Sequence, residues 1–288
     1  MSNPHPPDVA ARIARLFVYP VKSCAGVELS EAVLTETGLD LDRAWMVVDS
    51  QGEFVTQREL PRMALVRPQL KHFEVVLRAP GMLALHLAID AVEQPSKVRL
   101  WDQEVSAYDM GDVAAQWFSD FLGRELRLVR FDPDHRRLSS MEWTAGVEAL
   151  NQFSDGFPLL VTSEASLGEL NQRLVAAGHG AVGIERFRPN IVLSGLEAHD
   201  EDRLGLMRIA ADQEVQLRAV KPCARCPIPN VDPATAQTDP AVTTALQAYR
   251  QNERLQGAVT FGMNAIVLQG ADQTLRVGQQ VTADWYFD

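Results

Sequence analysis

The sequence predicts a β-rich α+β protein, on three observations. Short apolar-alternating segments recur at regular spacing through the first 110 residues. Turn signals separate them: Ser50-Gln51-Gly52, Ala79-Pro80-Gly81 and Asp102-Gln103. Helical periodicity is confined to a few stretches, most of them in the second half.

Taken in order, residues 1–9 are proline-rich and read as a mobile tail. From Ile13 the chain alternates through Leu16–Tyr19, a strand that Pro20 stops, and Lys22, Ser23 and Cys24 occupy the turn beyond it. Val27–Leu34 reads as a second strand. Hairpins follow: Trp45–Asp49 with Glu53–Thr56, Phe73–Leu77 with Leu83–Ile89, and Val98–Trp101 with Glu104–Tyr108. So many short strands predict a barrel or sandwich-like unit. The first clear helix is Asp112–Leu122, with Val113, Trp117 and Phe121 at spacing four, and Gly123 ends it. A domain boundary is placed there, giving 10–124 and 125–288.

In the second part, Leu126–Phe131 and Pro158–Thr162 read as strands. Ser166 and Glu169 match a capping box that would open a helix carrying Leu167, Leu170 and Leu174 on one face. Asn190–Leu193 and Val215–Val220 are strands, Pro240–Arg250 a helix, and Ala258–Leu268 and Leu275–Thr282 the closing strands.

Composition excludes several classes. With 46% hydrophobic and 23% charged residues the chain is globular rather than disordered. A formal net charge of -11 and the lack of a basic tract argue against nucleic acid, whose phosphates demand clustered cations. The N-terminus has neither the basic nor the apolar region of a signal peptide, and no run is long enough for a membrane helix. Three cysteines, an odd number, do not form a disulfide framework, so a reducing cytoplasm is the expected compartment.

The stretch of strongest chemical character is Lys221–Pro233, where Cys223 and Cys226 stand three apart beside Arg225. Pro222, Pro227 and Pro229 lack backbone donors, so a stiff loop is expected rather than a central strand. Neighbouring cations favour thiolate, the form that ligates metal or attacks. Three readings are open. A zinc site would need further ligands, and the histidines are scattered singly. A dithiol redox pair would open a helix, which Pro227 and Pro229 oppose. A single thiolate could hold a soft metal whose other ligands come from a cofactor.

Cations also recur at turns in this acidic chain: Lys22, Arg43, Arg58, Arg62, Arg188, Lys221 and Arg225. If those turns converge, they form a pocket for a compact anion such as phosphate. Ordinary solvated surface charge is the plainer account of the same residues.

Tyr19-Pro-Val-Lys-Ser-Cys24, Phe187-Arg-Pro-Asn190 and Pro222-Cys-Ala-Arg-Cys226 with Val231-Asp-Pro233 together resemble the MOSC family. The likeness is to its two-part members, the bacterial relatives of the mitochondrial amidoxime-reducing component. Asp42–Trp45, Phe153–Gly156, Thr162–Leu167 and Phe261–Asn264 fall in family order, so the resemblance spans about residues 13–281.

This resemblance implies an N-terminal β-barrel-like domain packed on a MOSC β-barrel domain with a few peripheral helices. It implies a molybdenum–molybdopterin cofactor in the cleft between them. Cys226 matches the position whose thiolate completes the metal's coordination, and so would be both metal ligand and catalytic residue. Lys22, Ser23, Arg43 and Arg188 would hold the pterin phosphate and its polar edge. Asp155, Gly156 and Phe157 would line the site, and Asn190, Ala224, Arg225 and Asn264 fall at further cofactor-contacting positions. Asn264 stands where some relatives carry Tyr.

The implied activity is that of a molybdopterin-dependent oxidoreductase reducing small N-hydroxylated or N-oxygenated substrates. Some relatives carry a C-terminal four-cysteine extension for an iron–sulfur cluster, whereas this sequence has no cysteine after Cys226. A separate donor of ferredoxin, flavoprotein or cytochrome type is therefore expected. The alternative from another class is a carrier of the cofactor or of a persulfide. Cys24 reads as a small buried thiol, and Asn190 has the plainer reading of satisfying strand-end backbone groups.

Overall fold

The computed structural model describes residues 7–287. Its main strands are β1 (Val9–Val18), β2 (Trp45–Asp49), β3 (Arg67–Leu70), β4 (Glu74–Arg78), β5 (Leu85–Ala88), β6 (Gln94–Leu100) and β7 (Gln103–Asp109), then helix α1 (Gly111–Leu122) and β8 (Leu126–Phe131). There follow β9 (Leu159–Ser163), α2 (Glu164–Ala176), β10 (Ile191–Ser194), β11 (Leu204–Ile209), β12 (Val215–Ala224), α3 (Ala241–Gln247), β13 (Ala258–Gln269) and β14 (Gln280–Trp285).

Seven of these strands close a barrel in the order β9, β10, β1, β14, β11, β12, β13, with β13 returning to pair β9. β9 and β10 run parallel, which requires a crossover, and α2 provides it. β1 shows how alternation builds two layers. Leu16 and Val18 point into the barrel with Leu159, Ile191 and Leu217. Phe17 and Tyr19 face outward to meet Leu170 and Leu174 of α2, Val242 and Leu246 of α3, and the Phe187–Phe261 stack at 4.0 Å.

The remaining strands form an open sheet β2-β8-β7-β6 and a three-stranded sheet β3-β4-β5. β2 is buried on both faces. Trp45 and Val47 pack against α1 and the smaller sheet, while Met46 and Val48 pack against Val98, Val105, Phe131 and Phe153.

Helix α1, β8 and the hairpins stand close to where the sequence puts them. Other expectations are corrected. β1 belongs to the barrel formed by the second half of the chain, although a division at residue 124 groups it with the first. Of the tail expected over residues 1–9, residues 1–6 lie outside the described residues and Val9 is already in strand. Val27–Leu34 is interrupted into Val27–Leu29 and Glu31–Thr35. β12 does not stop at Val220. It carries Lys221, Pro222 and Cys223 within the strand, and register shifts at Ala219/Lys221 and Pro222/Ala224 accommodate the proline.

The start of α2 also differs. Its N-cap is Ser163, whose Oγ accepts the Ser166 backbone N–H at 3.1 Å. The Ser163 and Ser166 hydroxyls both donate to Glu201 Oε2, at 2.9 and 2.7 Å, and Glu201 is fully buried. Burial pushes its carboxyl pKa above the ordinary range, outweighing the lowering by the Ser166 hydroxyl. A raised folded pKa contributes stability that is present below about 4.3 and is lost as pH rises through the folded value. Glu201→Gln should therefore gain on the parent by about 1–3 kcal/mol between pH 4 and 8, read from urea midpoints. A constant difference across that window would refute the assignment.

Candidate functional site

Where β1 leaves the barrel, the chain turns through Tyr19–Cys24 and makes a bridge from Val21 to Trp45 of β2. This connection brings the open end of the barrel against the N-terminal sheets. A concave cleft lies at the junction, the kind of place where small-molecule sites form.

All twelve residues singled out from the sequence line it: Lys22, Ser23, Arg43, Asp155, Gly156, Phe157, Arg188, Asn190, Ala224, Arg225, Cys226 and Asn264. They come from six separate chain segments. The lining holds five cations, Lys22, Arg43, Arg58, Arg188 and Arg225, against one carboxylate, Asp155, in a chain of net charge -11. Such a concentration inside an acidic protein is an anion-binding arrangement. Two of the cations expected at turns stand elsewhere: Arg62 lies over the Phe121 ring at 4.6 Å and Lys221 over Trp143 at 4.9 Å.

Arg43 and Arg188 both pack on one aromatic ring. Their guanidinium carbons lie 4.5 and 4.3 Å from the centre of the fully buried Tyr19 ring. Both residues have left-handed backbone, φ 54° and 58°, as does Ser23 at 66°. Arg43 Nη1 donates to Asp42 and to Asn190 Oδ1 (3.2 Å), and its Nη2 donates to the Arg188 carbonyl (3.0 Å). Arg188 Nη1 donates to the Cys24 carbonyl at 2.6 Å, but its buried Nη2 has no partner. Burial and then the adjacent Arg43 charge lower the Arg188 pKa to about 10.

Lys22 is 5% exposed and donates to the Phe153 carbonyl at 2.9 Å and to Asp155. Burial lowers its pKa, partly offset by Asp155. Burial also opposes ionisation of Asp155, yet the Lys22 ammonium overrides this and holds the carboxyl well below its usual range. The Asp155 side chain is 60% exposed, so water screens the pair.

On the far wall, Arg225 Nη2 donates to the Phe187 carbonyl and its Nη1 to Cys223 Sγ, each at 3.0 Å, while its buried Nε is unpaired. Cys226 is half-buried at the end of this wall. Asn264 Nδ2 donates to the Lys221 carbonyl at 3.2 Å. Asn190 does what its plainer reading says: Oδ1 accepts from Leu160 N–H at 3.1 Å and Nδ2 donates to the Phe17 carbonyl at 3.3 Å. It thereby also fixes Arg43. Cys24 is fully enclosed, and burial pushes its thiol up to about 12.

The sequence reading missed Arg137, which orders the wall carrying Asp155. This guanidinium, 5% exposed, donates to Asn151 Oδ1 and to the carbonyls of Gln152 (2.6 Å), Ser154 (2.7 Å) and Asp155 (3.3 Å). Residues 151–157 have neither strand nor helix to satisfy those carbonyls, so Arg137 substitutes for a ladder. One of two adjacent arginines among polar residues carries no local signal of this. Among the described residues, no three His, Cys, Asp or Glu side chains gather as a metal cluster.

The chain matches two family descriptions, in order along its length. The description "MOSC N-terminal beta barrel domain" matches residues 10–125, and "MOSC domain" matches residues 149–282. The chain is 36% identical to the mouse mitochondrial amidoxime-reducing component 1, over 93% of this chain and 81% of that one. It is 34% identical to the human protein of that name, over 93% and 82%. Identity to the bovine molybdenum cofactor sulfurase is 29%, over 93% of this chain and 32% of that longer one.

Replacing Arg137 by Met should leave the three carbonyls unpaired and cost about 1–3 kcal/mol of stability. Pyrophosphate binding, measured by calorimetry, should weaken as the wall loosens, with Arg137→Lys intermediate. Undiminished binding by the Met variant would separate the wall from the pocket.

Proposed function

We propose, from the premise that the chain belongs to the MOSC family in its two-domain form, that it is a molybdenum-cofactor-dependent reductase of small N-hydroxylated compounds. The observation that carries this is the meeting of Cys226, one of two half-buried thiols in the cleft, with five cations. Two buried guanidinium N–H groups there, Arg188 Nη2 and Arg225 Nε, still lack acceptors. A buried donor without a partner is costly, and an anionic ligand supplies what is missing. Cysteine sulfur without a protein ligand cluster among the described residues suits a soft metal whose remaining ligands arrive with a cofactor, and Cys223, the other thiol here, is engaged by Arg225.

The residues present fit such a group. Cys226 would be its thiolate ligand. Lys22, Ser23, Arg43 and Arg188 would hold the phosphate and polar edge, while Ala224, Arg225 and Asn264 would contact it from the barrel side. Asn190 supports Arg43 from beneath. When bound, the molybdenum centre supplies two-electron reduction of an N–O bond, chemistry no side chain offers.

The chain's own contribution is placement and charge. Lys22 is held in the cleft wall by the Phe153 carbonyl and the Asp155 carboxylate. Asp155, held ionised and exposed at the rim, accepts a hydrogen bond from a substrate N-hydroxyl. Gly156 adjoins open space, so the entrance there is unobstructed. Electrons come from a separate carrier protein in this reading, and a cytoplasmic setting is part of the same proposal.

Similarity to the sulfurase favours one rival, a protein that holds the cofactor for delivery elsewhere. Cys226→Ala decides the matter. The variant, made in a host that synthesises the cofactor, should lose about a thousandfold in benzamidoxime reduction by reduced viologen. Its thermal midpoint should stay within about 2 °C of the parent, because a half-buried side chain away from the core is removed. Full turnover by the variant removes Cys226 from the mechanism. A parent protein that transfers cofactor to an apo-enzyme yet reduces nothing is the carrier.

A further inference from the structure

One cation of the cleft holds nothing in place. Lys22 donates to Phe153 and Asp155, and Arg43 to Asp42, Asn190 and the Arg188 carbonyl. Arg188 donates to the Cys24 carbonyl, and Arg225 to Phe187 and Cys223. Arg58 has no such duty. Its Nε donates to Thr56 Oγ1 at 3.3 Å, an oxygen that also accepts the Arg58 backbone N–H at 3.3 Å. Among the described residues neither of its Nη groups has a protein acceptor. The residue is half-buried and lines the cleft, which leaves the free edge of its fork for a ligand.

Although unbonded at its tip, Arg58 is not loose. Its guanidinium carbon lies 4.7 Å from the centre of the Trp101 ring, and Trp101 rests against Phe54 at 4.8 Å. Trp101 occupies the β6–β7 turn with left-handed backbone, φ 58°, a conformation that a bulky residue keeps only where its surroundings hold it. The Phe54 N–H donates to the Arg99 carbonyl at 3.2 Å and ties this segment to β6. Stacking fixes the guanidinium plane while its edge stays available to a planar anion.

The carboxylates around it are already matched. Glu59 pairs with Arg124 and accepts the Thr56 N–H, Glu53 pairs with Arg99, and Asp155 is bonded to Lys22. Asp102, next to Trp101 in the chain, is exposed. Asp155 also locates Arg58: burial opposes its ionisation, and the charges of Lys22 and then Arg58 overcome this. The uncommitted fork therefore stands beside the rim carboxylate assigned above to the substrate N-hydroxyl. A phosphate on the fork would bring a dianion against Asp155. A carboxylate brings a single charge, in the planar shape that the fork fits.

We propose that Arg58, positioned by Trp101, is a specificity-determining residue that binds a carboxylate of the substrate; this rests on the reductase reading above. The preferred substrates are then N-hydroxylated compounds that carry a carboxylate. A neutral analogue lacks that group and leaves the fork to water.

The test compares 3- and 4-carboxybenzamidoxime, whose carboxylates differ in reach, with benzamidoxime. The parent, cofactor-loaded and oxidised, should bind the better carboxylated isomer about tenfold more tightly than benzamidoxime, by calorimetry without turnover. Arg58→Gln should erase most of that ratio, and Trp101→Leu should reduce it to about threefold. Arg58→Glu should shift the preference to 4-aminomethylbenzamidoxime, which a merely structural role would not do. In viologen-driven reduction the parent's ratio should reappear in kcat/KM and reside in KM. An unchanged ratio in Arg58→Gln overturns the assignment, as does a parent with no preference for either carboxylated isomer. So does a pyrophosphate affinity that Arg58→Gln weakens as much as Arg43→Gln does, since that would give Arg58 to the cofactor. A parent that binds the compounds in the expected ratio yet reduces none of them defeats the reductase reading instead.

Discussion

The arrangement depends on placing several cations side by side where little water can screen them. Arg43 and Arg188 both lie against one buried tyrosine ring, and the Arg43 charge disfavours that of Arg188. Free guanidinium groups would not settle there. They remain because backbone carbonyls of Arg188 and Cys24, with the Asp42 and Asn190 side chains, accept four hydrogen bonds from them. Both cations also gain from the face of the Tyr19 ring. The two left-handed backbone conformations follow from the same demand, since an extended arginine at either position would aim its side chain elsewhere. An anion relieves this arrangement by adding an acceptor where Arg188 Nη2 has none.

The support for these cations comes from distant parts of the chain, and that determines how much could be read in advance. The residue types facing the cleft were legible, because Lys22, Arg43, Arg188 and Cys226 sit in short ordered stretches whose combination identifies a family. The residues that hold them were not. Tyr19 reads as an ordinary strand aromatic until Arg43 and Arg188 stack on it from 24 and 169 residues away. Arg137 acts on carbonyls, which have no sequence identity at all. Lys221 and Arg62 illustrate the converse. A cation beside a turn can point to an aromatic surface rather than the site, and spacing does not distinguish the two.

The fold divides along the same line. The β4–β5 and β6–β7 hairpins and α1 were legible because their partners are adjacent and their turns carry specific residues. β3 was missed because Pro68 breaks its pattern, and β11 because Gly205 weakens it. β12 was cut short at Val220 since prolines argue against a central strand, and only the register shifts opposite β13 explain how Pro222 fits. Membership of β1 in the barrel rests on pairing with strands that lie far along the chain. No local signal encodes that.

That long-range pairing is also what makes one rigid site from two halves. β1 is clamped in the barrel by β10 and β14, and the same strand continues without a flexible linker through Tyr19 and Lys22 to the bridge between Val21 and Trp45. Lys22 is therefore referenced to the barrel that carries Arg188, Arg225 and Cys226, although it precedes them by more than 160 residues. Arg43 is brought to the same frame by its backbone N–H, which donates to the Tyr19 carbonyl at 2.9 Å. Had the chain joined its halves only through the segment after β8, each half could rotate on that segment. The spacing between phosphate-binding cations and the thiol would then vary. Threading the first strand into the last domain removes that freedom, and it does so at the residues where the cleft needs it removed.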